Sequence, residues 1–176
     1  NGDGGKNYGW PIKEGTHCFR PMQGCDPNGL TTDPITEYEH AGSPRRCCII
    51  GGALYRGQAI PLLTKHYFFS DYCTAETFSV RYDGQQLIEE LDHSAELRKP
   101  DGDRFGAVSS FGEDLDGEMF ILDLFSGVYR IVTKMQLDVP QLVAGQQAQF
   151  SVSGATPNAR VLLLYSREGT ARTRVP

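Results

Sequence analysis

Short runs rich in aromatic and β-branched residues recur between turn dipeptides along most of this chain, and that spacing constrains the fold more than any other feature. The runs are Ile35 to His40, Cys48 to Tyr55, His66 to Tyr72, Thr77 to Tyr82, Val108 to Phe111, Glu118 to Leu122 and Val128 to Thr133. Asp83-Gly84, Asp101-Gly102, Asp116-Gly117 and Ser126-Gly127 punctuate them, each a signal for a tight turn between strands. Helical periodicity is nearly absent. Only Gln85 to Leu97 carries a trace of it, and its neighbours read as strands. The expectation is an all-β chain built as a sandwich, barrel or propeller.

Grouping the hairpins gives a four-stranded set over residues 49–92 and a three-stranded set over residues 106–132. Sets of this size match propeller blades, which repeat every ~40–50 residues. A last blade one strand short is expected to be completed by residues outside this chain, as when one terminus closes the ring. After Lys134 the texture changes. Gly145, Gly154 and Pro157 punctuate Gln149 to Val152 and Arg160 to Tyr165, which read as the first strands of a truncated β-sandwich-like module. The expected division is residues 1–134, the C-terminal blades of a propeller, and residues 135–176, the start of a second β domain.

Charge excludes one class of partner. The net charge is -5, and the tail beyond residue 134 carries four Arg against Asp138 and Glu168, leaving the propeller part more acidic still. Binding nucleic acid needs clustered cations to track phosphates, so no nucleic-acid partner is expected. The longest apolar runs, such as Val161 to Tyr165, fall far short of the ~20 residues that a membrane-spanning helix needs. The opening residues read as a loop without an initiator Met, so the chain is expected to start inside a longer protein with any export signal upstream.

Five cysteines stand at positions 18, 25, 47, 48 and 73, without the C-x-x-C and histidine spacing of a zinc site. Cys18 and Cys25 flank a loop containing Pro21 and Gly24 that can bring its ends together. This pair reads as a local disulfide suited to an oxidising compartment. The odd count leaves at least one sulfur unpaired or intermolecular. A secreted, periplasmic or cell-surface location follows as the expectation.

Several residues have the chemistry of a site, and each also has a plainer reading. Tyr8 and Trp10 bracket Gly9 in a run read as a strand, which would put both rings on one face to stack on a sugar or to pack between blades. His40 ends the Ile35 to His40 run, where it could act as an acid/base or sugar ligand, or simply bond a neighbouring loop. Arg45-Arg46 forms a cationic pair on a loop, able to grip an anion or to sit solvated. His17, beside Cys18, reads as a packing residue. Glu113, Asp114, Asp116 and Glu118 form an acidic cluster of the kind that binds calcium through several oxygens. Against a metal, Asp116-Gly117 is a hairpin turn, and the loop spacing of a calcium-binding helix-loop-helix is missing.

Ordered motifs over residues 5–133 add a family. They are Gly5-Lys-Asn-Tyr-Gly-Trp-Pro11, Glu14-Gly-Thr-His-Cys-Phe19, Gly51-Gly-Ala-Leu-Tyr-Arg-Gly57, Phe69-Ser-Asp-Tyr-Cys73, and Ser109-Ser-Phe-Gly-Glu-Asp-Leu-Asp-Gly-Glu118 leading into Val128-Tyr-Arg-Ile131. Together they resemble the glucose/sorbosone dehydrogenase family, in its bacterial branch related to hedgehog-interacting-protein-like propellers. The resemblance implies a six-bladed propeller, export and, in the dehydrogenases, pyrroloquinoline quinone with calcium.

It further implies a disulfide between a cysteine before the G-G-x-x-Y-R-G run and the cysteine of D-Y-C, that is, Cys47 or Cys48 with Cys73. Cys47 and Cys73 fill the family's places and Cys48 is the extra thiol, but the sequence leaves the 47-versus-48 choice open. The family's general base and calcium loop would lie upstream of Asn1. Its later quinone-binding cations would fall at Cys73 or Thr74 and at Ala107 and Ser109, none of which can donate a charge-assisted bond. Two functions follow as expectations. One is oxidation of an aldose or related sugar with the quinone; the other is a non-catalytic propeller that binds a glycan or another extracellular protein.

Overall fold

The computed structural model describes residues 4–133, 136–138 and 151–153. The chain divides into two compact units, residues 1–132 and 133–176. In the first, a two-residue hairpin pairs β1 (Lys13–Glu14) with β2 (His17–Cys18). A four-stranded antiparallel meander follows, made of β3 (Ile49–Ile50), β4 (Tyr67–Asp71), β5 (Thr77–Tyr82) and β6 (Leu87–Asp92) in spatial order. A three-stranded meander joins β7 (Val108–Glu113), β8 (Met119–Asp123) and β9 (Gly127–Arg130). In the second unit, β10 (Gln136–Asp138) pairs antiparallel with β11 (Ser151–Ser153). The expected strand at Arg160 to Tyr165 lies outside the described residues.

The described chain is all-β apart from one short 3-10 turn, Pro61–Leu63. The four-stranded and three-stranded sets stand where the hairpin grouping puts them. Gln85 to Leu97, the one helix-like stretch, supplies β6: after the Asp83-Gly84 turn its backbone pairs with β5 rather than with itself. Two expected strands are absent. Residues 35–40 pair with no strand and bend at Ile35 and His40, and Tyr8 to Trp10 is a loop, because Gly9 takes φ 91° and donates its N–H to the Asn7 side chain at 2.9 Å.

Turn chemistry does the local work. Asp83 Oδ1 accepts the N–H groups of Gln85 and Gln86, both at 2.8 Å, and fixes the β5–β6 turn. Asp123, almost fully buried, accepts from Phe125 and Ser126 at 2.9 and 3.0 Å in the β8–β9 turn and from Gly106 at 2.5 Å. Gly117 sits at φ 78°, and a Cβ there would come within 2.9 Å of the Arg56 carbonyl carbon. Only glycine fits both demands.

One core lies between the two larger sheets. Phe68 of β4 meets Val108, Met119 and Ile121 of β7 and β8, closed by Tyr55, Ile60, Phe105 and Ile131. Each of these side chains contributes ~1.5–3 kcal/mol by leaving water. Gly52 lets the chain before β4 approach closely, since a Cβ would overlap the Phe68 carbonyl oxygen.

Inside the first sheet runs a polar chain that the sequence does not announce. Ser79 Oγ lies 3.0 Å from His66 Nδ1 and 2.8 Å from His93 Nε2, and all three residues are buried. Glu89 stands 3.3 Å from the other His66 nitrogen and Glu96 3.7 Å from that of His93. Burial holds both imidazoles below their ordinary value, against the opposing pull of those carboxylates. Their neutral forms therefore add stability that is complete above the unfolded value of 6.5 and is lost as pH falls below it. Thermal unfolding is expected to be level above that pH and to weaken before the carboxylates begin to titrate. A His66→Asn/His93→Gln double variant should lose that early drop, and an unchanged profile would show that the pair does not carry it.

Candidate functional site

Three segments line an open cavity of about 850 Å³: residues 14–19 around the β1–β2 hairpin, residues 34–40, and Cys47, Cys48 and Ile49 entering β3. Side-chain hydrogen bonds hold these walls. Glu37 accepts from Thr16 N–H at 2.7 Å and Thr16 Oγ at 2.6 Å, and both bonds hold its carboxyl below the usual range. A Cβ at Gly15 would collide with that same carboxylate, so the E-G-T-H-C motif needs its glycine for this grip. The Cys18–Cys25 disulfide closes the next loop with its Cα atoms 5.5 Å apart. Asp26 then accepts from the N–H groups of Leu30 and Thr31 at 2.8 and 3.0 Å.

The far wall hangs on Asp71, which has no solvent exposure. One of its oxygens accepts from Tyr38 Oη at 2.8 Å, Cys47 N–H at 2.9 Å and Cys48 N–H at 3.2 Å. The other accepts from Cys73 N–H at 3.0 Å and from Thr74 N–H and Oγ at 2.9 and 3.1 Å. Burial pushes this carboxyl up, yet the hydrogen bonds outweigh it and the net position is below the ordinary value. The Cys47–Cys73 disulfide crosses at the same point, which resolves the pairing in favour of Cys47 and leaves Cys48 as an exposed thiol.

The lining is acidic and aromatic. Glu14, Glu37, Glu39, His17 and His40 meet Phe19 and Tyr38, and neither Lys nor Arg contributes. Among the described residues, the Glu14 and Glu39 carboxylates have no ion-pair or hydrogen-bond partner. Trp10, 68% exposed, stacks on Phe19 with ring centroids 5.3 Å apart, so it stands behind the wall without lining the cavity. Tyr8 is exposed and does not line it either.

Of the residues singled out from sequence, His40 and His17 are brought to the cavity; His17 is exposed and 3.5 Å from Glu37, so it is not the packing residue that its place beside Cys18 suggests. Arg45 is spent on the carbonyl of His40 at 2.8 Å. Arg46 makes a two-pronged pair with Glu76 at 2.6 and 3.0 Å and lies over the Tyr38 ring. Asp114, Asp116 and their neighbours do not converge. Asp114 accepts from the N–H groups of Asp116 and Glu118 as a turn cap, Glu113 pairs with Arg56 at 2.7 Å, and Glu118 points into the core.

Among the described residues, the group with metal-ligand spacing is Cys47, Asp71 and Cys73, whose two sulfurs are bonded to each other. The four positions where the resemblance would put the quinone's cationic partners carry no cation. Cys73 is in a disulfide, Thr74 donates to Asp71, Ala107 is buried, and Ser109 donates to the Leu122 carbonyl at 3.2 Å. Asp71 lies inside the F-S-D-Y-C motif, which by itself gives it no role, and Glu37, Tyr38 and Glu39 carry no local signal of a site. An aspartate beside a cysteine that is cross-linked at a distance was the one available signal.

No family model matches the chain. It is 28% identical over 157 residues to HIPL1 protein of Arabidopsis thaliana, an alignment covering 73% of this chain and 21% of the relative. With HIPL2 protein of Arabidopsis thaliana it shares 29% over 150 residues, with the same coverage of each. The chain thus spans about a fifth of the length of these relatives. Its similarity is to the HIPL1 and HIPL2 proteins.

Proposed function

We propose that this chain is part of an exported propeller that binds a carbohydrate in the cavity between residues 14–19, 34–40 and 47–49. The observation that carries the reading is the lining: the aromatic side chains of Phe19 and Tyr38, the carboxylates of Glu14 and Glu39 without partners, and no Lys or Arg among the lining residues. Carboxylates accept from pairs of sugar hydroxyls, and aromatic faces cover the apolar side of a pyranose ring. Such a cavity repels anionic ligands, which weighs against a quinone held there by its carboxylates. The two disulfides support an oxidising location. Among the described residues, no helix is long and apolar enough to cross a membrane.

The test uses the full-length protein in two titrations. Calorimetry with neutral mono- and oligosaccharides is expected to show saturable binding, weakened about tenfold in Glu39→Ala, the worth of one well-placed hydrogen bond. Pyrroloquinoline quinone with calcium, followed by sugar-dependent dye reduction, is expected to show neither binding nor turnover. Tight quinone binding with dye reduction would replace this reading with the sugar-oxidising one.

A further inference from the structure

Three cysteine backbones converge on one carboxylate. Asp71 accepts the N–H groups of Cys47, Cys48 and Cys73 at 2.9, 3.2 and 3.0 Å, so the three sulfurs are held on one small patch of the molecule. Cys47 and Cys73 are joined, and Cys48 Sγ lies 3.6 Å from Cys47 Sγ, in van der Waals contact with a sulfur of the disulfide. Cys48 is exposed, and Cys47 and Cys48 both line the cavity. A free thiol touching a disulfide is the reactant pair for thiol–disulfide exchange, and fixing both partners removes the entropic cost of bringing them together.

The geometry points to an internal exchange site in which Cys48 attacks the Cys47–Cys73 disulfide. Cys48 loses its proton to solvent, and the thiolate forms a bond to Cys47 Sγ. The Cys47–Cys73 bond breaks with its electron pair leaving on Cys73 Sγ, which takes up a proton. One disulfide and one thiol stand on each side, so no external oxidant or reductant enters. The product carries a Cys47–Cys48 disulfide in the cavity wall and frees Cys73 from the wall, so the sulfur pairing sets the shape of the cavity independently of what binds in it.

The experiment is a trapping assay on the full-length protein. Oxidised protein is held at about pH 8.5, where thiolate is available, and treated with dilute iodoacetamide so that exchange outruns alkylation. It is then digested without reduction and mapped by mass spectrometry. The expected result is alkylated Cys73 together with a peptide in which Cys47 is linked to Cys48. Cys48→Ser removes the attacking sulfur and leaves the resting disulfide intact, so Cys73 labelling should fall about tenfold or more in that variant. Label confined to Cys48 in the unaltered protein overturns the proposal, and so does label on Cys47, which would mean attack on the other sulfur. Cys73 labelling that persists in Cys48→Ser also overturns it, because the thiol would then arise without exchange.

Discussion

Asp71→Ala is expected to lower the unfolding free energy by about 4–5 kcal/mol, among the largest effects a single substitution in this chain should have. The carboxylate is fully buried and accepts six hydrogen bonds, four from backbone N–H groups and two from the hydroxyls of Tyr38 and Thr74. Alanine leaves those donors facing a void. An unsatisfied buried donor costs about 1–3 kcal/mol, and water entering the gap recovers part of the sum.

Asp71→Asn separates shape from charge. It keeps the volume, but its amide turns an N–H₂ group toward one set of donors and should fall between alanine and the parent. Hydrogen exchange gives the readout specific to this site: the amides of Cys47, Cys48, Cys73 and Thr74 should lose protection together in either variant, while those of β8 should change less. An Asp71→Ala protein within about 1 kcal/mol of the parent would show that the disulfide alone holds the wall. The pH dependence follows from the depressed carboxyl. Its contribution is complete above the unfolded value of 3.8 and is lost as pH falls below it.

That arrangement marks the boundary of what the residues reveal by themselves. Strand β5, Thr77–Tyr82, is readable end to end because its alternation and its Asp83-Gly84 exit are both local. Local signals fail at residues 35–40. The β-branched and aromatic content suggests a strand, but the segment's bonds run through side chains to distant partners: Thr36 to Glu90, Glu37 to Thr16 and Tyr38 to Asp71. Among the described residues, no strand pairs with it.

The same contrast holds at the cavity. His40 was visible as a histidine at the end of a run of β-branched and aromatic residues, whereas Glu14 and Glu39 come to the cavity only because folding brings residues 14–19 beside residues 34–40. Trp10 and Tyr8 drew attention as aromatics, but the Gly9 turn directs the chain so that only Trp10 supports the wall, through Phe19. The ordered motifs were legible as a family resemblance; that several of them form joints is legible only in three dimensions. G-G-A-L-Y-R-G and E-D-L-D-G-E, more than fifty residues apart in the sequence, meet as a single hydrogen-bonded contact.

That contact carries the second large prediction. Glu118 is buried and accepts from Tyr55 Oη at 2.8 Å and from the N–H groups of Gln58 and Ala59 at 3.0 and 2.9 Å. Tyr55 Oη in turn accepts from Ile60 N–H at 2.9 Å, so one carboxylate and one phenol pair three consecutive N–H groups, Gln58 to Ile60, of the turn that leads from the first sheet into its 3-10 segment. Burial, then the bond to Glu118, pushes the phenol up to about 12, which keeps it protonated and donating. Burial also pushes the Glu118 carboxyl up, but the three donors outweigh it and leave it below its ordinary value of 4.5.

Glu118→Ala should therefore cost about 3–5 kcal/mol, and Tyr55→Phe, which removes a single hydroxyl and keeps the ring in the core, about 1–2 kcal/mol. The two should not add. With the carboxylate gone, the phenol's main partner is gone as well, so the double variant should fall short of the sum of the singles by about 1 kcal/mol. Strict additivity in urea unfolding would mean that Glu118 acts through the backbone amides alone. Gly57→Ala tests the same joint sterically, since its Cβ would stand 2.5 Å from the Glu118 carboxylate and must displace it. A loss close to that of Glu118→Ala would place the energy of the joint in the carboxylate's position, which is what couples the first sheet to the second.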